Sequence, residues 1–278
     1  MLTCDCHAHV CGPENRYPYA PSRLYTPHDA LPGDFRRMLD RLGTTRGVLV
    51  QPSIYGTDNR ALLDALAQDP ARLRGVAVVP WEITSKEVEG LHASGVRGVR
   101  VNIVDLKEGK GVLPLDALRK LGEKIRPLGW HVEFLMHVDE FPELDRQLAD
   151  FPVDVVFGHL GYVSTSKNIR EPGFQALLRL MRDGKAWVKL TAPYRLTMSP
   201  MPYPDVAPFA QALVEAAPER LVWGTDWPHV FIKTAMPDDA ALLELFKRWV
   251  PDERMQRCIL VDNPAALYKF PPAPATRP

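Results

Sequence analysis

Eight short, valine-rich apolar runs recur along this chain, and most are followed by a stretch whose apolar residues are spaced three and four apart. The runs fall at 2–10, 46–53, 74–80, 96–102, 131–137, 154–161, 186–195 and 221–228. Continuous apolar segments of this length suit strands buried on both faces, as in a parallel sheet. Segments 59–68, 114–129 and 174–184 carry the helical period, and 238–250 and 253–268 predict two more helices after the last strand. Eight strand-then-helix units without a break predict an α/β chain folded as a (β/α)8 TIM barrel, one domain over residues 1–278. A doubly wound open sheet competes, but no Gly-x-Gly-x-x-Gly turn follows the first run.

A chain of 278 residues with 46% apolar content can bury one large core. Lys plus Arg and Asp plus Glu balance at 34 each, which leaves no basic field for nucleic acid or an anionic membrane. No apolar run is long enough to span a bilayer, and no signal-peptide pattern opens the sequence. Three of the four cysteines crowd into residues 4–11, which is not a disulfide framework. The expectation is a reduced, cytoplasmic enzyme, monomeric or a small homo-oligomer, acting on a small molecule.

The opening stretch "TCDCHAHV" places cysteines and histidines side by side. Side chains alternate across a strand, so Asp5, His7 and His9 are expected on one face and Cys4 and Cys6 on the other. A mixed Cys/His zinc site would then need ligands from opposite faces unless the strand is broken, and the cysteines read as small buried residues facing the helices. Asp5 could orient an imidazole from behind. A His-x-His pair can be purely structural, but other strand ends point the same way. His159 closes "DVVFGHLG", Arg195 closes "VKLTAPYR", and Asp226 closes "LVWGTDWPH" with His229 just beyond. Polar groups ending apolar strands are costly as core and natural as a site, and in a barrel those ends share one mouth. The proline-rich segment 11–33, with Tyr17, Tyr19 and Tyr25, would be a long loop over that mouth. Ser53 and Tyr55 end the second run, Asn102 shares the face of Arg100, and Lys189 reads as a barrel cation or a buried ion pair.

At "HAHV", "FGHLG", "KLTAPYR" and "GTDWPH" the chain resembles the amidohydrolase superfamily, in its amidohydrolase-2 branch, and within that the 2-pyrone-4,6-dicarboxylate lactonases and related lactonases. The resemblance implies that Asp226 is the general base for water and that His7, His9 and His159 polarise the lactone carbonyl. It implies that Arg100 and Arg195 hold substrate carboxylates, that Tyr25 adds a hydroxyl, and that His229 helps hold Asp226 or the substrate. A further arginine of the dicarboxylate lactonases is missing after the fourth run. Lys107 stands in that stretch, a point charge in place of a planar fork.

Lactone opening needs a water, a base, and donors facing the developing oxyanion. Burial is expected to raise the pKa of Asp226 and make it a better base. The closest lactonases of the resemblance work without metal, so no cofactor is expected to be required. His7, His9, His159 and Asp226 would nonetheless suit one zinc ion. His137, just past the fifth run, is the nearest substitute for the strand-5 ligand of metal-dependent relatives. The alternatives are a sugar-acid (aldono) lactonase and a zinc-dependent decarboxylase of the same superfamily.

Overall fold

A computed structural model describes residues 2–104 and 112–271. Lys107 lies outside the described residues. The strands β1 (Cys4–Ala8), β2 (Arg46–Val50), β3 (Leu73–Ala77), β4 (Val96–Asn102), β5 (His131–Leu135), β6 (Val155–Phe157), β7 (Ala186–Leu190) and β8 (Leu221–Trp223) are parallel and neighbour one another in chain order. Between and after them run α1 (Pro32–Leu42), α2 (Arg60–Gln68), α3 (Ser85–Ala93), α4 (Leu115–Ile125), α5 (Leu144–Leu148), α6 (Pro172–Arg182), α7 (Ala207–Ala216) and α8 (Asp239–Trp249). This is the expected (β/α)8 barrel. The final segment is α9 (Glu253–Arg257), one π-helical stretch at Cys258–Asp262, and α10 (Asn263–Leu267). No helix among the described residues is long and apolar enough to cross a membrane.

Local chemistry explains the helix starts. Thr84 accepts the Glu87 N–H while Glu87 accepts the Thr84 N–H, so α3 opens on a capping box. Helices α1 and α6 begin with proline in the first turn, where a missing N–H costs nothing.

Two apolar layers follow from strand alternation. Val99, Val132, Phe134, Val155, Phe157, Val188 and Leu190 pack outward under the helices. Val48, Val50, Val76, Val156, Trp187 and Val222 fill the barrel, and Tyr268 and Phe270 join them from the chain's end. Cys4 and Cys6 belong to this inner set, which corrects the expectation that they face the helices. The reason is a bulge. Cys4 pairs with Arg46 and Asp5 with Gly47, yet Ala8 pairs with Leu49, so β1 carries one residue more than β2. Alternation changes phase at that point, and His7 and His9 turn inward on the side of the cysteines. Asp5 does not share their face. It accepts the backbone N–H groups of His7 and Thr225 and the Thr225 hydroxyl, so it fixes the backbone and not an imidazole.

Candidate active site

The barrel is closed by the residues just after β8. Asp226 donates its N–H to the His7 carbonyl oxygen at 2.8 Å, and the His9 N–H reaches the Trp227 carbonyl oxygen at 2.8 Å. This pairing brings Asp226 against the histidines of β1. A Cβ on Gly224 would lie 2.6 Å from the His7 nitrogen, so only glycine permits the approach. The Oδ1 atom of Asp226 lies 3.5 Å from His7 Nε2 and 3.4 Å from His9 Nε2. The His159 ring stands edge-on to His7, with centroids 5.1 Å apart. His159 and Asp226 both hold left-handed backbone, at φ 51° and 68°. For residues other than glycine this is strained, and such strain gathers at functional sites.

The two carboxylate oxygens of Asp226 have different surroundings. Oδ2 accepts the Tyr194 hydroxyl at 2.7 Å and the Arg195 Nε–H at 2.9 Å, and Arg195 Nη2 pairs with it across 2.8 Å while donating to the Val230 carbonyl oxygen at 2.9 Å. Oδ1 has no hydrogen-bond partner among the described residues. Burial pushes the carboxyl pKa up, but Arg195, His159, His9 and His7 outweigh it and hold Asp226 well below the usual carboxylate range. The expected upward shift is therefore reversed, because the guanidinium and the imidazoles together outweigh the loss of solvent, which is the largest single influence. Burial and then the Lys189 ammonium lower His7 to about 3. Burial likewise holds His159 well below its ordinary value, against the pull of Asp226. An ionised Asp226, tied on one oxygen by Arg195 and Tyr194, thus faces the neutral imidazoles of His7 and His159.

His9 donates from Nδ1 to the Val50 carbonyl oxygen at 2.8 Å, since a carbonyl can only accept. With Nδ1 so engaged, the His9 ring turns Nε2 to the site, 3.4 Å from Asp226 Oδ1. Ligand atoms of His7, His159 and Asp226 lie within 4.8 Å of one another. His7 Nε2, His159 Nδ1 and Asp226 Oδ1 are buried without partners, so the set has the residue types and the free atoms for a divalent ion.

Above this floor opens a cleft of about 110 Å³. Tyr25, Ser53, Arg100, Asn102 and Arg195 line it with His9, His159 and Asp226. Arg100 donates to the Gln51 carbonyl oxygen at 3.0 Å. Tyr25 stacks on Phe231, centroids 5.2 Å apart, and burial pushes its phenol up to about 12. His229 sits behind Asp226 and away from the cleft lining. Its Nδ1 is 2.9 Å from the Tyr194 oxygen and its Nε2 is 3.0 Å from Asp239. His137 stacks on Tyr162 and its Nδ1 meets the Tyr162 carbonyl oxygen at 2.7 Å.

Three groups near the site escape sequence reasoning. Tyr194 lies in a short 3-10 turn after β7, where strand alternation says nothing. Phe231 lies past β8 in a loop without period. Glu133, early in β5, reaches up the barrel to Lys189 at 2.7 Å and to His7 Nδ1 at 3.3 Å. Its alternation with Val132 and Phe134 was the available signal.

A parallel barrel that gathers imidazole, carboxylate and guanidinium groups at the C-terminal ends of its strands defines a class of barrel enzymes. The chain belongs to the amidohydrolase family, whose model matches residues 4–270. It is 39% identical over 273 residues to a 2-pyrone-4,6-dicarboxylate hydrolase of Comamonas testosteroni, covering 95% of this chain and 89% of that one. It is 38% identical over 266 residues to a 4-sulfomuconolactone hydrolase of Rhizobium radiobacter, with the same 95% and 89% coverage. The crystal structure of a probable 2-pyrone-4,6-dicarboxylic acid hydrolase of Acinetobacter baumannii, with citric acid bound, superposes with a TM-score of 0.85. That protein is 33% identical, and the match covers 97% of this chain and 100% of the other.

Proposed function

We propose that this protein is a lactone hydrolase that opens a carboxylated cyclic ester, of the pyrone dicarboxylate or muconolactone kind, with water activated by Asp226. The observation that carries this reading is the free Oδ1 of Asp226, held within 3.5 Å of two imidazoles while Oδ2 is tied by Arg195 and Tyr194. A water beside Oδ1 gives its proton to that oxygen as its own oxygen attacks the lactone carbonyl. Charge developing on the carbonyl oxygen meets the imidazoles of His7 and His159. When the intermediate collapses, the ring C–O bond breaks and the leaving oxygen takes the proton from Asp226. The carboxylate is then restored. A depressed pKa makes Asp226 a weak base, which suits an activated ester with a stabilised leaving group better than an amide.

Arg100 is the foremost candidate for a substrate carboxylate, because the Arg195 fork is largely engaged by Asp226. Citric acid in the Acinetobacter relative, and the carboxylated or sulfonated lactones in the names of the relatives, support an anionic substrate. None of these steps uses a metal. A second reading is favoured by the three unpartnered atoms on His7, His159 and Asp226. A divalent ion held there would polarise the carbonyl as a Lewis acid. The test is a hydrolysis screen over 2-pyrone-4,6-dicarboxylate, muconolactones and aldonolactones, read by proton release with and without chelator. Turnover of carboxylated unsaturated lactones that survives chelation supports the proposal. Turnover confined to aldonolactones, or lost with chelator, overturns it.

A further inference from the structure

Beneath the site, inside the barrel, lies an ion pair that the mechanism does not use. Lys189 of β7 is fully buried and Glu133 of β5 nearly so. The Lys189 Nζ lies 2.7 Å from Glu133 Oε2, 2.8 Å from the Cys6 carbonyl oxygen and 3.2 Å from His7 Nδ1. A buried ion pair of this kind adds little stability over apolar side chains of the same size, so its presence calls for another reason.

Hydrogen counting supplies one. An ammonium has three hydrogens and accepts none. Three acceptors surround Lys189, and all three hydrogens are used only if His7 Nδ1 offers its lone pair. With the ring proton on Nδ1, that N–H could turn to Glu133 Oε1 at 3.3 Å, but an ammonium hydrogen would then face it and a bare Nε2 would face the Asp226 carboxylate at 3.5 Å, both at a fully desolvated place. Glu133 anchors the ammonium, and the extra residue in β1 brings Nδ1 inward to meet it.

We propose that Lys189, held by Glu133, is a positioning residue that fixes His7 as the tautomer protonated on Nε2. His7 then meets the substrate as a hydrogen-bond donor, while His9, locked the other way by the Val50 carbonyl, presents an acceptor. The histidine pair thereby divides its work: one ring steadies the carbonyl oxygen and the other receives the water. The same tautomer withholds the His7 Nε2 lone pair from a metal. The donor role rests on the lactone-hydrolase reading, whereas the tautomer itself does not.

The test is the 15N spectrum of histidine-labelled protein, with His7 assigned by its disappearance in His7→Gln. The expected result is a pyrrole-type Nε2 and a pyridine-type Nδ1 for His7. The reverse pattern overturns the proposal. Replacing the pair together, Lys189→Met with Glu133→Leu, leaves no lone buried charge. That variant should lose the tautomer preference and about 10- to 100-fold in kcat, with KM within a few-fold of the parent. An unchanged kcat in a folded variant overturns the positioning role, and the parent spectrum decides alone if the variant does not fold. A parent with Nε2 protonated but no lactone turnover keeps the tautomer assignment and removes only the substrate reading.

Discussion

Asp226 is joined to His7 twice, by a backbone hydrogen bond at 2.8 Å and across 3.5 Å between carboxylate Oδ1 and imidazole Nε2. The contact that closes the barrel is therefore also the contact that sets base against imidazole. Gly224→Ala tests this coupling, because its new methyl would meet the His7 nitrogen at 2.6 Å. The variant should lose about 1–3 kcal/mol of stability and most of its turnover together, read by thermal melting and lactone hydrolysis. Full activity with a lowered melting temperature would separate closure from the site.

Tyr194 donates to Asp226 and lies within hydrogen-bond reach of His229. Tyr194→Phe deletes the donor and leaves a buried nitrogen short of a partner, at a cost of about 1–3 kcal/mol. A carboxylate that loses a donor titrates higher, so the acid limb of kcat/KM should move to higher pH. A pH–rate profile that superposes on the parent would show that Tyr194 does not tune the base.

Arg100 projects into the cleft from β4. Arg100→Met should raise KM for a carboxylated lactone roughly 10- to 100-fold, the range of a lost charged hydrogen bond. A neutral lactone of the same ring should be affected little. Equal losses on both substrates would mean that Arg100 shapes the cleft and does not read a carboxylate.

Stability should rise as pH climbs from about 4 to about 6.5. His7 and His131 are held near 3 in the fold, so the unfolded chain binds protons there that the folded chain does not. Asp5, raised to about 7 by burial, opposes with one proton of the contrary sign. His131 lies below the site with neither ring nitrogen paired among the described residues. His131→Asn should flatten the slope of stability against pH by roughly 1.4 kcal/mol per pH unit. Denaturant melts between pH 4 and 7 measure it, and an unchanged slope would contradict the assignment.

The barrel was readable because buried parallel strands leave uninterrupted apolar runs, and all eight fall where the sequence places them. The convergence of His7, His9, His159, Arg195 and Asp226 was readable for the same reason, since every strand end opens on one rim. What sequence misjudged turns on single-residue geometry. One extra residue in β1 reversed the faces of Cys4 and Cys6, and alternation carries no mark of a bulge. The sign of the Asp226 shift depends on an arginine fork that is 31 positions away in the chain. Glu133 went unread because strand position alone hides how far up the barrel a carboxylate can reach.

The most direct test of the central claim is the turnover number of Asp226→Asn on 2-pyrone-4,6-dicarboxylate, with binding of the lactone followed in the same protein. Asparagine keeps the shape and cannot take a proton from water. Turnover should fall by about 100-fold or more while the lactone still binds. Turnover within tenfold of the parent would contradict the account.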